Sequence, residues 1–167
     1  VDVQLSGLIL GQTLHTEAHE IYRALIEATA FGALTIIKRI EDYGVPVNEV
    51  INTGGLAVKN ETLMQIYADI LGKPLKVSAS EQTCALGAAL FGAAASGRLT
   101  LEDAQAKCCQ VRERVYEPIS ENQVIYERLY ALYRTLHDAF GTSGWDGRLD
   151  RVMKELIAIR AETRLSS

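Results

Sequence analysis

A chain of 167 residues that is 48% hydrophobic and 23% charged is ordinary globular material, long enough for one domain with a sizeable core. Its net charge of −4, with no Lys/Arg cluster, offers no electrostatic footprint for nucleic acid. The longest near-apolar run, 24–37, is too short to span a bilayer and carries Glu27, so a buried helix accounts for it and no membrane role is expected.

In chain order, residues 1–14 are apolar but glycine-broken and predict a loop. The start at VDVQLSG, without an initiator methionine, predicts a truncated or processed chain. From about Glu17 the spacing of Ile21, Leu25, Ala28 and Gly32 predicts a helix, with Ala24, Phe31 and Ile36 widening its apolar face. Tyr43-Gly44 and Val45-Pro46 stop it. Residues 49–53 form a short β-prone segment, followed by Gly54-Gly55. Asn60 is an N-cap for a helix over 61–71, with Leu63, Ile66, Tyr67 and Ile70 on one side and Gly72 as its stop. Residues 75–77 predict a second strand, and Ser80 caps a third helix over 81–95.

Thr100 and Asp103 resemble a capping box that opens a short helix. Ile125, Leu129, Leu132, Leu136 and Phe140 then mark a helix over 121–140. The adjacent Tyr126, Tyr130 and Tyr133 stripe reads as packing surface. After the break at 141–144 comes a last amphipathic helix over 149–159. The strand–turn–helix–strand–helix order is an α/β signature, with two strands visible.

Chemistry-bearing patterns are few. His15 and His19 stand four residues apart, but the glutamate spacing is not that of a zinc protease and no third ligand accompanies them. Residues 92–99, GAAASGRL, mimic a P-loop with Arg98 and Leu99 where Lys and Ser/Thr belong, and they close a helix instead of opening one. No Ser-His-Asp or Cys-His arrangement has supporting context. Cys84, Cys108 and Cys109 lack zinc spacing and cannot all pair, which predicts reduced, partly buried thiols in a cytosolic protein.

Gly54-Gly55 is the strongest feature. Glycine suits positions of positive φ or of close backbone approach. Here the pair follows a strand and precedes a helix, where open α/β sheets bind ligands. A ligand-facing turn and a simple tight turn both satisfy the residues alone.

Three segments together resemble the FGGY carbohydrate kinases, the sugar-kinase branch of the actin-like ATPases. The stretch NTGGLAVKNETLMQIYADILGKPL (52–75) resembles the family's adenosine-side motif, SEQTCALGAALFGAAASG (80–97) the motif after it, and HEIYRALIEATAFG (19–32) the signature ahead of it. The likeness covers about residues 5–98. Gln12 departs from it, standing where the family favours an aliphatic residue.

The resemblance implies an α/β fold, part of the second actin-like ATPase (ribonuclease H-like) domain, helix-dominated with a small sheet. Residues 1–100 would form the domain core and 101–167 a C-terminal helical extension. It implies transfer of the ATP γ-phosphoryl group, with Mg, to a ketopentose, L-ribulose by the look of GGLAVKN and QTCALGAA, or to another sugar such as xylulose. Gly54 and Gly55 would admit the nucleotide, and Lys59 and Asn60 would flank the adenine. Residues 85–88, Ala-Leu-Gly-Ala, would pack closely behind the turn. The catalytic base and most of the sugar site belong to family segments outside this chain, so the chain alone is expected to be inactive. ATP and a sugar are the expected partners, with neither nucleic acid nor membrane. A homo-oligomer is also expected, because truncation would expose sheet edge and apolar helix faces. The competing expectation is a non-catalytic helical interaction module built on the tyrosine stripe.

Overall fold

The computed structural model describes residues 4–165. Its elements are α1 (Ala18–Asp42), β1 (Val50–Asn52), α2 (Gly55–Lys59), α3 (Glu61–Leu71), β2 (Leu75–Ser78), α4 (Thr83–Ala95), α5 (Leu101–Cys108), β3 (Val111–Tyr116), α6 (Ser120–Gly141) and α7 (Val152–Leu165). The sheet order is β1-β2-β3. β2 pairs parallel with β1, Val50 opposite Leu75, and antiparallel with β3, Leu75 opposite Tyr116.

Local chemistry sets most boundaries. α1 opens with a capping box in which the Glu20 carboxylate accepts from the Glu17 N–H at 2.9 Å. The Asn60 side chain accepts from Leu63 N–H at 2.9 Å, satisfying one orphan donor of α3. Gly72, at φ 62°, ends α3 in the left-handed region. Thr100 caps α5 through Asp103 N–H at 3.1 Å. Ser80 is not the cap of α4: its hydroxyl accepts from Gln82 N–H at 3.3 Å, and the helix starts at Thr83.

α3 is the axis of the core. It lies between α1, α6 and the sheet, burying Met64, Ile66, Ala68, Ile70 and Leu71 against Leu34, Leu75 and Val77. The buried side of α1 is Ala30, Phe31 and Leu34, with Ile26, Ala33 and Ile37 beside them. This corrects the face expected from Ile21, Leu25 and Ala28, since Leu25 and Ala28 are exposed. α1 is apolar around much of its circumference, so spacing alone leaves its rotation open; docking of Phe31 against α6 fixes it. The Phe31 ring lies 6.2, 5.9 and 5.5 Å from the rings of Tyr126, Tyr130 and Tyr133, which makes the tyrosine stripe packing surface.

One buried carboxylate joins the halves of the chain. Asp69, 3% exposed, accepts from Gln65 Nε2 at 2.8 Å, Ile119 N–H at 2.8 Å and Asn122 Nδ2 at 2.7 Å. It thereby pins α3 to the connection between β3 and α6.

Three expectations fail on tertiary grounds. A third strand exists, β3, in the sequence VRERVY. As an edge strand it is exposed up to Tyr116 and carries charges, so it lacks the apolar alternation that marks a half-buried strand. The cysteines are all exposed, not partly buried. Residues 85–88 are not packed closely behind the glycine turn: a Cβ at Gly87 would meet no atom within 4 Å, and α4 lies against α5 instead.

Candidate functional site: the glycine turn and its cleft

β1 delivers the chain into Gly54, whose φ of 95° and ψ of 169° lie outside the range that a residue with a Cβ readily adopts. The turn is therefore glycine-dependent at Gly54. Gly55 differs. It starts α2 with no positive φ, and a Cβ there would meet nothing within 4 Å. Nothing among the described residues requires glycine at this position, and the space beside it is open.

The four residues singled out from sequence flank α2, Gly54 and Gly55 at its start and Lys59 and Asn60 at its end. Lys59 ends that helix and is exposed, with no ion pair among the described residues. Asn60 closes α2 through its N–H to Leu56 O at 3.1 Å, and its side-chain oxygen caps α3. Its side-chain amide nitrogen takes no part in that cap bond and can donate elsewhere.

Beside the turn runs an apolar cleft of about 470 Å³ whose walls include Tyr22 and Leu25 of α1, Asn52 and Thr53 at the end of β1, and Leu56 and Tyr67. Leu56 is 74% exposed over it. Asn52 Nδ2 contacts Met64 Sδ at 3.4 Å and Tyr67 donates to Thr29 at 2.8 Å, so the polar wall groups are already oriented. Gly54, Gly55, Lys59 and Asn60 are not among its walls. The cleft runs along Leu56 and Ala57 of α2, and reading the sequence missed it. Its one signal was that α1 carries more apolar residues than a single buried stripe requires.

Charge nearby is organised on the far side of α1. Tyr126 donates to Glu27 at 2.9 Å and accepts from Arg23 at 3.1 Å. Burial, reinforced by the Glu27 carboxylate, pushes the Tyr126 phenol up to about 12. Among the described residues no group of three or more His, Cys, Asp and Glu could hold a metal ion, and no helix is long and apolar enough to cross a membrane.

A strand feeding a glycine turn, a capped helix behind it and a small mixed sheet beneath define a class that comparison makes explicit. The profile of the FGGY family of carbohydrate kinases, C-terminal domain, matches residues 1–96, and the chain belongs to that family. Among its relatives are ribulokinases: that of Halalkalibacterium halodurans is 46% identical over 166 residues, covering 96% of this chain and 29% of that protein. That of Geobacillus thermodenitrificans is 47% identical over 161 residues, covering 93% and 28%. The chain thus spans less than a third of the length of these curated relatives.

Among solved structures, the xylulose kinase of Rhodospirillum rubrum superposes with a TM-score of 0.68 at 29% identity, over 83% of this chain and 29% of that one. The gluconate kinase of Lactobacillus acidophilus gives 0.65 at 25% identity, over 80% and 27%. The fold is accordingly part of an actin-like ATPase domain, helix-dominated with a small mixed sheet.

Proposed function

We propose that this chain is the nucleotide-binding C-terminal portion of a sugar kinase that transfers the γ-phosphoryl group of Mg-ATP to a ketopentose, L-ribulose. In this reading residues 1–100 carry the family motifs, and 101–167 are the C-terminal helical extension of the same domain, which adds β3 to the sheet and Tyr126 and Tyr130 to the core. Family membership supports ATP as donor and a sugar as acceptor, and likeness to ribulokinases supports L-ribulose. The carrying observation is the position of Gly55: it opens α2 directly after β1 and the Gly54 turn, with open space beside it, which leaves room for a ligand to approach the main chain.

In this reading Gly54 and Gly55 admit the nucleotide, and Lys59 and Asn60 flank its adenine. Phosphoryl transfer depends on positioning and on electrostatic stabilisation, so such a cradle is a working part of catalysis. Mg would be held by the phosphates of ATP and by groups outside this chain. No residue here is assigned the role of general base. Three free thiols support a reducing, cytoplasmic setting.

In the full-length kinase, Gly55→Val should raise the KM for ATP much more than the KM for the sugar. An unchanged response to ATP overturns the assignment. The chain on its own should release no ADP in response to ribulose, and steady turnover at ordinary enzyme rates would overturn that. Xylulose remains the competing sugar, given the Rhodospirillum rubrum neighbour, and the ratio of kcat/KM values for the two ketoses in the full-length enzyme decides between them. A helical interaction module has less support, because Tyr126 and Tyr130, on which it rested, are buried against Phe31.

A further inference from the structure

A second, smaller cavity lies where the N-terminal segment, the start of α1 and α7 meet. Its volume is about 160 Å³, and its polar lining includes Thr13, His15, Thr16, Glu20, Arg160 and Arg164. Sites for drug-sized molecules begin at roughly 300 Å³, so this space suits a small group and not a whole nucleotide. α7 is held over it by packing: the position of a Cβ on Gly11 lies 3.4 Å from Leu156 Cδ1.

The charges in this cavity are unbalanced for a specific reason. α7 carries Glu155 and Glu162, and both bind Arg128 of α6. Arg160 and Arg164, one turn apart on the same helix, are left without an ion pair among the described residues. Glu20 is the one carboxylate in the lining, and it is engaged by Glu17 N–H at 2.9 Å. Two guanidinium groups therefore face one carboxylate. The hydroxyls of Thr13 and Thr16 sit in the same turn, where Thr13 N–H donates to Thr16 Oγ1 at 2.8 Å and His15 N–H to Thr13 Oγ1 at 3.2 Å. Paired guanidiniums, an imidazole and hydroxyl donors around a small space match a tetrahedral oxyanion, and arginine's planar fork binds phosphate oxygens in pairs.

We propose that this cavity is a phosphate-group site, in which Arg160 and Arg164 supply the charge, and His15 and one hydroxyl of the mutually bonded Thr13–Thr16 pair supply further donors. It is separate from the glycine turn: Ile21 and Ala24 of α1 face this cavity, whereas Tyr22 and Leu25 face the cleft beside α2. The phosphate could be inorganic or the ester of a sugar phosphate, since the recognising chemistry is shared.

The test titrates the 167-residue chain with inorganic phosphate, against sodium chloride at equal ionic strength, following the ring protons of the histidines by NMR. Phosphate should shift the His15 signals saturably and leave His137, on the far part of α6, unmoved. Calorimetry on Arg160→Gln and Arg164→Gln, both solvent-exposed changes on α7, should show roughly tenfold weaker binding for each. Replacing inorganic phosphate with a pentose 5-phosphate separates the sources: tighter binding of the ester assigns the site to a sugar phosphate, equal binding to the free ion. No saturable His15 shift, an equal shift with chloride, or undiminished binding in both arginine variants would each overturn the proposal.

Discussion

α3 and α4 are neighbours in sequence, and both are apolar, yet they meet opposite fates. α3 buries six of its eleven residues, including the charged Asp69. α4, thirteen residues with no charged side chain, buries only Leu90 and leaves Phe91 66% exposed. Apolar composition therefore does not decide burial. What decides it is whether the chain supplies surfaces to pack against, and α3 is given three: α1, α6 and the sheet. α4 is given α5.

The contrast between the two helices rests most heavily on Asp69. Removing its carboxylate in Asp69→Ala takes the shared acceptor from Ile119 N–H and Asn122 Nδ2, while Gln65 Nε2 keeps Glu117 O, and should cost about 2 kcal/mol, read as a lower urea midpoint at unchanged slope. A change under about 0.5 kcal/mol, the size expected at a surface position, would mean that α3 is not the axis of the fold.

The aromatic seam behind α3 makes a pH-dependent case. The Tyr126 phenol has a folded-state value of about 12 against 10.0 for the free group, so the folded chain holds its proton more tightly than the unfolded one. Stability from this group is fully present below pH 10.0 and lost as pH rises towards 12. Chemical denaturation across that window should show a decline that Tyr126→Phe reduces, and equal slopes in the two proteins would refute the coupling.

Smaller effects separate the two helices further. Asn60→Ala removes the cap of α3 and should cost about 1 kcal/mol, measurable by thermal melting; no loss would show the cap bond to be dispensable. At the weak end, Phe91→Ser on α4 should leave stability within about 0.5 kcal/mol while shifting the chain towards monomer in sedimentation velocity. A large loss of stability there would mean that α4 is packed after all.

Legibility followed the reach of the forces involved. The Asn60 and Thr100 caps, the Gly72 stop and the Gly54 turn depend on interactions within about four residues, and each was readable at its own position. The order strand, glycine turn, helix was enough to place the candidate site. The rotation of α1, edge strand β3 and the exposure of α4 were not readable. Phe31 meets residues nearly a hundred positions away, and β3 needs β2 as its partner. Likewise the cleft beside α2 and the arginine-lined cavity under α7 unite segments that no local pattern connects.

By itself, the sequence determined most of the helices, the Asn60 and Thr100 caps, the Gly72 stop, the two glycines and the family likeness, because backbone preference and capping act over a turn or two of chain. Only the tertiary structure decided which apolar face is core, which glycine is demanded by its own φ and which has open space beside it, and which arginines make no ion pair among the described residues. Burial, clearance and charge balance are sums over neighbours brought together from distant positions, and those neighbours exist only once the chain has folded.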